Sequence, residues 1–128
     1  MAQRVLVVDD DPDLVDMLTD VLKALPRPLE VQSAGNGRSA LEAIELETFD
    51  LVLLDVWMPV MDGIETLKAI KSMAPGLPVL MITGSDCASA AEALRLGAVG
   101  YLPKPMHLRY VEHIVSVALD RAGALAHA

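Results

Sequence analysis

The chain has 128 residues, a length that predicts one domain with a substantial hydrophobic core. Hydrophobic residues make up 53% of it and aromatic residues only 3%, so aliphatic side chains must build that core. The net charge of -8 argues against direct nucleic-acid binding, which needs a basic surface. A single cysteine, Cys87, excludes an internal disulfide, and no apolar run approaches the length of a membrane span. We therefore expect a cytoplasmic protein that contacts neither membranes nor nucleic acid directly.

The N-terminal half predicts alternating strands and helices. A continuous apolar run at residues 5–8 indicates a strand covered on both faces, and residues 14–25 repeat apolar side chains at helical spacing. The Asp-Pro step at residues 11–12 is a typical helix start, with the aspartate as N-cap. Residues 29–32 alternate between apolar and polar, which predicts an edge strand. A second helix is expected around residues 40–44.

The C-terminal half continues the alternation. Residues 51–54 and 79–82 predict two more buried strands, and residues 99–102 predict a short edge strand that contains a glycine. Asp62 with Glu65 marks the start of the third helix. Ser89 with Glu92 marks the start of the fourth helix, and Gly97 marks its end. The fifth helix is indicated by apolar residues between 111 and 119. Residues 123–128 are expected to fray.

Strict alternation of strands and helices predicts an α/β fold with a doubly wound, five-stranded parallel sheet and helices on both faces. With the two edges assigned as above, the flavodoxin-like strand order 2-1-3-4-5 is favoured. In such a sheet the ligand site lies at the carboxyl ends of strands 1 and 3, where the winding direction reverses. Asp9, Asp10 and Asp55 fall at those ends.

Crowded carboxylates raise one another's pKa, so a cluster of this kind usually requires a cation. Oxygen ligands that leave room for water and phosphate suit Mg²⁺. The sequence therefore predicts Mg²⁺-dependent phosphate chemistry, with one aspartate as the candidate phosphate acceptor. Asp11 is expected only to serve the start of the first helix, where negative charge is favourable.

Four short motifs occur in order at matching places of the predicted fold. They are Val-Val-Asp-Asp-Asp-Pro at residues 7–12, Asp-Val-Trp-Met-Pro-Val-Met-Asp-Gly at 55–63, Thr-Gly at 83–84 and Tyr-Leu-Pro-Lys-Pro at 101–105. Each motif alone is weakly specific, but together they cover nearly the whole chain. The sequence resembles the receiver domain of bacterial two-component response regulators.

The resemblance implies a role for each acidic residue of the predicted site. Asp55 corresponds to the phosphoacceptor, a carboxylate that forms an acyl phosphate once the surrounding charge is neutralised. Asp9 and Asp10 would hold Mg²⁺, Asp10 more directly and Asp9 partly through water. The backbone carbonyl of Trp57 would be a further ligand, and the Trp57 side chain is unusually bulky for its position.

The resemblance also assigns the residues that sense the phosphoryl group. Lys104 would contact it as a point charge, and a cis bond before Pro105 would aim that lysine into the site. Thr83 would bind a phosphate oxygen through its hydroxyl group. Tyr101 matches the switch aromatic of the family, although a single tyrosine on an edge strand is also a common packing residue.

The function implied by the resemblance is a switch, not an enzyme acting on a separate substrate. A sensor histidine kinase or a phosphotransfer protein would donate the phosphoryl group, which would remodel the face of the fourth helix, fifth strand and fifth helix. An output domain, a downstream protein or a second copy in a homodimer would read that face. The receiver domain is expected to span residues 1–122, with 123–128 as a tail or the start of a linker.

Two other functions remain open. A haloacid-dehalogenase-like phosphatase also uses an aspartyl nucleophile, but its nucleophile follows the first strand and its substrate cap would need a longer chain. An acyl phosphate on Asp9 instead of Asp55 would favour this enzyme. A non-phosphorylated interaction module of the same fold would have no need for the acidic pair together with Asp55, Thr83 and Lys104.

Overall fold

The computed structural model describes residues 2–56, 58, 61–84, 87–104 and 107–126, in which strands and helices alternate strictly. The strands are β1 (Gln3–Val8), β2 (Leu29–Ala34), β3 (Leu51–Asp55), β4 (Val79–Thr83) and β5 (Gly100–Pro103). The helices are α1 (Pro12–Lys23), α2 (Gly37–Leu46), α3 (Gly63–Met73), α4 (Cys87–Arg95) and α5 (Leu108–Ala126).

The strands form one parallel sheet in the order β2-β1-β3-β4-β5. This confirms the doubly wound, flavodoxin-like fold predicted from the alternation of elements. The inner strand β1 pairs with β2 up to Val8 and Ala34, and with β3 up to Val8 and Leu54. Because β2 lies on one side of β1 and β3, β4 and β5 lie on the other, the winding direction reverses between β1 and β3, which opens a crevice at their carboxyl ends.

Both faces of the sheet are covered by apolar side chains. Along β1, Val5 and Val7 join the layer formed with α1 and α5, whereas Leu6 and Val8 join the layer formed with α2, α3 and α4. All four side chains are fully buried, which explains why the strand is apolar without alternation. The edge strand β2 alternates in burial over its first four residues, as its sequence predicted.

Local sequence signals fix three of the helix ends. The Asp11 carboxylate accepts the Asp13 N–H at 3.0 Å and caps α1, and the Asp62 carboxylate accepts the Glu65 N–H at 2.8 Å and caps α3. After α4, Gly97 has a φ of 107°, a left-handed conformation that favours glycine. The chain then turns so that the Ala98 N–H donates to the Ala93 carbonyl at 3.0 Å.

Several element boundaries in the structure differ from the predicted ones. β5 begins at Gly100, not at residue 99, and α4 begins at Cys87, not at Ser89, so Cys87 lies in a helix and not in a loop. The predicted fraying tail begins inside α5, which extends to Ala126 because alanine and leucine after Gly123 favour helix. The end of the domain at residue 122 stays a prediction. Among the described residues, no helix is both long enough and apolar enough to cross a membrane.

Candidate functional site

The carboxyl ends of three neighbouring strands bring the predicted site residues together. Asp9 directly follows β1, Asp55 is the last residue of β3, and Thr83 is the last residue of β4. Hydrogen bonds of the sheet continue past these ends, since the Asp9 N–H donates to the Ala34 carbonyl at 3.1 Å and the Val56 N–H donates to the Ile82 carbonyl at 3.0 Å. The backbone that carries the two carboxylates is therefore held by the sheet itself.

Three carboxylates form a compact acidic cluster at this edge. Asp9, Asp10 and Asp55 each place one carboxylate oxygen within 4.8 Å of the others. Asp9 and Asp55 are buried, with exposed fractions of 2% and 3%, whereas Asp10 is exposed. Carboxylate oxygens on one side of the site and water on its exposed side would together provide the hard oxygen ligands that suit Mg²⁺. Asp11 stays outside the cluster, as predicted, and serves α1.

The buried Asp9 carboxyl group has a raised pKa. Its Oδ1 accepts the Asp11 N–H at 2.9 Å, while its Oδ2 is buried without a hydrogen-bond partner among the described residues. The pKa of Asp9 is raised to about 6, chiefly by burial and also by the charge of Asp55, while the hydrogen bond from the Asp11 N–H and the charge of Lys104 oppose the rise. A cation next to the unpartnered oxygen would offset the cost of burying the Asp9 charge and would reduce the repulsion between Asp9 and Asp55.

Lys104 reaches the cluster from β5. Its ammonium group lies 3.7 Å from Oδ2 of Asp55, and its side chain is 40% exposed. The Lys104 N–H donates to the Thr83 carbonyl at 2.7 Å, which extends the β4–β5 pairing and fixes where the lysine leaves the sheet. The ion pair is long for a direct hydrogen bond, which leaves the lysine free to contact another anion beside Asp55.

Thr83 and Tyr101 lie on neighbouring strands but in different surroundings. The Thr83 side chain is buried, and its hydroxyl group donates to the Gly84 carbonyl at 3.0 Å. Tyr101 lies opposite Met81 in the register of β4 and β5 and is 42% exposed at the outer edge of the sheet. The structure therefore brings Thr83 to the acidic cluster and leaves Tyr101 at the surface. Trp57 and Pro105, predicted as a metal ligand and a cis bond, lie outside the described residues.

The family model for the response regulator receiver domain matches residues 5–116. The chain belongs to this family. The match includes the acidic cluster, Thr83 and Lys104, and agrees with the resemblance found from the four motifs.

Known proteins similar to this receiver domain include a solved receiver domain and longer proteins that match it over part of their length. Among solved structures, the receiver domain of NtrX from Brucella abortus is 34% identical, with a TM-score of 0.85, and the match covers 91% of this chain and 98% of that one. The transcriptional regulatory protein ZraR of Klebsiella oxytoca is 44% identical over 116 residues, 90% of this chain and 26% of ZraR. A protein-glutamate methylesterase/protein-glutamine glutaminase of Nocardioides sp. is 36% identical, over 95% of this chain and 35% of its own length. The receiver domain therefore spans about a third or less of these two longer relatives.

The receiver domain also depends on a residue to which the sequence had assigned no role. Gly63, the first residue of α3, donates its N–H to the Val56 carbonyl at 2.9 Å. A Cβ atom at this position would lie 2.2 Å from the Asp55 carbonyl oxygen. Gly63 thus lets α3 begin directly against the backbone that presents Asp55. Its signal in the sequence was a glycine after the capping residue Asp62, where the helix itself has no need for glycine.

Proposed function

We propose that this receiver domain is a phosphorylation switch in which Asp55 accepts a phosphoryl group, with Mg²⁺ held by the acidic cluster. The observation that carries the proposal is the position of Asp55, a buried carboxylate that shares the cluster with Asp9 and Asp10 and faces the Lys104 ammonium group at 3.7 Å. A nucleophilic carboxylate needs positive charge beside it, because its own negative charge repels that of the incoming phosphoryl group.

The transfer forms one bond and breaks one. An Asp55 oxygen attacks the phosphorus atom, the bond from phosphorus to the donor nitrogen of a phosphohistidine breaks, and the imidazole leaves and takes up a proton. The product is a mixed anhydride on Asp55. Asp9, Asp10, Asp55 and the Trp57 carbonyl would hold Mg²⁺, which supplies charge neutralisation for the crowded oxygens. The sequence-based assignment of the donor, a sensor histidine kinase or phosphotransfer protein, is part of this proposal.

The signal would pass from the phosphoryl group to the outer edge of the sheet. Lys104 would bind one phosphoryl oxygen. The buried Thr83 hydroxyl group would give up its hydrogen bond to the Gly84 carbonyl and donate to another phosphoryl oxygen instead. Tyr101, now exposed, would then shift with the segment between α4 and α5. Two packings of this face, one favoured by the acyl phosphate, would form the switch.

The wild-type protein offers a direct test of this function. Acetyl phosphate is a small molecule that offers the same phosphoryl group for transfer, with acetate instead of imidazole as the leaving group. It should label the protein in the presence of Mg²⁺, and EDTA should abolish the labelling. Equal labelling with and without the cation would contradict the proposed use of the acidic cluster.

Lys104 should couple the phosphoryl group to the switch without supplying the nucleophile. We expect Lys104→Ala to be labelled by acetyl phosphate, because Asp55 and the acidic cluster remain. The chemical shift changes that labelling causes at the Thr83 and Tyr101 amides should fall to less than about half of the wild-type change. Lys68→Ala, which removes an exposed lysine of α3, is the matched control. A wild-type response in Lys104→Ala would exclude this role.

Asp9 should make the stability of the cation-free protein depend on pH. Its pKa is 3.8 in the reference state and about 6 in the fold, so between these values the folded protein holds a proton that the unfolded chain has lost. The stability that this bound proton gives the fold is fully present below pH 3.8, the pKa of the reference state, and is lost as the pH rises through about 6, the pKa in the fold. Without divalent cations, the loss of this proton should lower the free energy of unfolding by on the order of 3 kcal/mol across that window.

The measurement is denaturant unfolding of wild type and Asp9→Asn at pH values on both sides of that window. The stability of Asp9→Asn should not fall across this pH range, since an amide does not titrate. At neutral pH, Asp9→Asn should be more stable than wild type. Mg²⁺ should stabilise wild type at neutral pH much more than below pH 4, where protons compete for Asp9. Asp11→Asn, which changes an aspartate outside the cluster, should behave like wild type. A Mg²⁺ response that is independent of pH would contradict Asp9 as a ligand.

The remaining features of the proposal concern where the domain acts and what reads its switch. We infer a cytoplasmic location and an output domain or downstream protein that reads the switch, of the transcriptional or enzymatic kinds named for the longer relatives. The phosphatase alternative is disfavoured, because Lys104 lies beside Asp55 at the end of β3, whereas the nucleophile of such a phosphatase follows the first strand.

A further inference from the structure

The first turns of α2 and α3 lie against each other at the end of the sheet that carries the acidic cluster. Gly37, the first residue of α2, is buried, and Thr66 in the first turn of α3 is fully buried. A Cβ atom at Gly37 would overlap the Thr66 hydroxyl oxygen and would lie 3.1 Å from the Met61 sulfur atom. The two helices therefore approach so closely that only glycine fits on the α2 side. We call this meeting of Gly37 with Thr66 the α2–α3 contact.

The α3 side of the contact is held in place by hydrogen bonds. The Thr66 hydroxyl group donates to the Asp62 carbonyl at 2.8 Å, and the Thr66 N–H donates to the same carbonyl at 3.0 Å. Because the side chain is fully buried, turning the hydroxyl group away from Gly37 would break its bond inside the protein, where no water replaces it. A larger residue at position 37 would therefore displace the helices instead of the Thr66 side chain.

The α3 side also leads to Asp55. Gly63, three residues before Thr66, lies against the Asp55 backbone and donates its N–H to the Val56 carbonyl at 2.9 Å. The first turn of α3 is therefore in contact with α2 through Thr66 and with the end of β3 through Gly63. A displacement of this turn would act directly on the backbone that presents the Asp55 carboxylate.

The α2 side leads to Asp9. Gly37 lies three residues after Ala34, the last residue of β2, whose carbonyl accepts the Asp9 N–H at 3.1 Å. The short connection between β2 and α2 is itself fixed, because the Asn36 side chain caps α2 and accepts the Ser39 N–H at 2.9 Å. A displacement of the start of α2 would therefore be passed to the strand end that holds the Asp9 backbone.

We propose that the α2–α3 contact sets the spacing between the strand ends that carry Asp9 and Asp55, and so makes the acidic cluster selective for Mg²⁺ over Ca²⁺. Mg²⁺ accepts only a narrow range of ligand distances, whereas Ca²⁺ forms longer and more variable bonds to oxygen. Carboxylates held at a fixed spacing favour the smaller ion, and displacing them weakens Mg²⁺ binding more than Ca²⁺ binding. The inference rests on the proposed Mg²⁺ site and identifies Gly37 and Thr66 as its positioning residues.

The test compares the affinities of the unphosphorylated protein for Mg²⁺ and Ca²⁺, each measured from the amide shifts of Asp10 and Val56 during titration with the chloride salt. Gly37→Ala should lower the Mg²⁺ affinity at least about tenfold, the usual effect of disturbing a residue that supports a metal ligand. The Ca²⁺ affinity should fall by less than about threefold. A residue that only stabilised the fold would leave the ratio of the two affinities unchanged.

Two further variants separate the contact from general damage. Gly35→Ala makes the same change two residues earlier, where a Cβ atom meets nothing within 4 Å, so both affinities should stay at the wild-type values. The double variant Gly37→Ala/Thr66→Ala lacks the hydroxyl group that the new methyl group would overlap, and the Asp62 carbonyl keeps the N–H of residue 66 as a donor. This variant should bind Mg²⁺ within about threefold of wild type.

Thermal unfolding shows beforehand which variants are folded at the temperature of the titration. If Gly37→Ala is not folded, Thr66→Val replaces it. A methyl group is larger than the hydroxyl group whose place it takes, so Thr66→Val strains the same contact from the α3 side by a smaller amount. Its Mg²⁺ affinity should fall at least about threefold, with the Ca²⁺ affinity nearly unchanged.

Two results would overturn the proposal and leave the acidic cluster as a Mg²⁺ site. One is a folded Gly37→Ala protein that binds Mg²⁺ as tightly as wild type does. The other is an equal loss of Mg²⁺ and Ca²⁺ affinity that Thr66→Ala does not repair, which would make the contact purely structural. A wild-type protein whose amide shifts do not respond to Mg²⁺ would instead refute the metal site itself, and with it both the proposed function and this inference.

Discussion

Asp55→Asn should abolish labelling by acetyl phosphate, a loss of at least about a hundredfold, while the protein remains folded. The amide that replaces the carboxylate is a poor nucleophile and cannot form the mixed anhydride. The fold should tolerate the change, because the substitution keeps the side-chain shape and removes one of the crowded charges beside Asp9. Labelling is followed by intact-mass spectrometry, and folding by thermal unfolding of the same samples.

Asp11→Asn is the matched control for this substitution. Asp11 lies near the same site, but its carboxylate accepts the Asp13 N–H as the N-cap of α1, and asparagine serves as an N-cap equally well. Asp11→Asn should therefore be labelled like wild type. Unchanged labelling of Asp55→Asn, or its loss in Asp11→Asn, would refute the assignment of Asp55 as the acceptor.

Gly63→Ala should lower the free energy of unfolding by about 3 kcal/mol, the upper end of the range for overpacking. Its new methyl group would lie 2.2 Å from the Asp55 carbonyl oxygen and 2.6 Å from the Val56 Cα atom, both of them backbone atoms that cannot move aside cheaply. Helix propensity alone predicts the opposite sign, since alanine is favoured over glycine in a helix. The sign of the change, measured by denaturant unfolding, therefore separates the two effects.

Gly76→Ala is the control for Gly63→Ala. A Cβ atom at Gly76 meets nothing within 4 Å, so its effect on stability should be small. Because Gly63 lies against the backbone of Asp55, Gly63→Ala should also slow labelling by acetyl phosphate under conditions in which it is still folded. A stable Gly63→Ala protein with a wild-type labelling rate would show that α3 does not position Asp55.

The sequence predicted the sheet order and the location of the site because both follow from local signals. Continuous apolar runs mark strands covered on both faces, and the order 2-1-3-4-5 then follows from the two edge strands. Asp11 and Asp62 were recognised as helix caps because a cap bonds to the backbone two or three residues away. α4 was misplaced because Ser89 and Glu92 have the spacing of a capping box, although Ser85 and Asp86 are equally suitable capping residues directly before Cys87.

Other features of the site depend on contacts between distant segments, which local patterns do not contain, and only the family resemblance had assigned Lys104 to the site of Asp55. The approach of Lys104 to Asp55 at 3.7 Å and the unpartnered oxygen of Asp9 arise only when several strands meet. The contact of Gly63 with the Asp55 backbone depends on the path between β3 and α3, which a one-dimensional pattern does not contain.

The location of the phosphoryl group on the wild-type protein tests the central claim most directly. The protein is incubated with acetyl phosphate and Mg²⁺, the acyl phosphate is reduced with borohydride to mark the modified carboxyl group, and the marked residue is found by tandem mass spectrometry. The account predicts the mark on Asp55 and its absence when EDTA replaces Mg²⁺. A mark on Asp9 would contradict it and favour a phosphatase that uses the aspartate after the first strand.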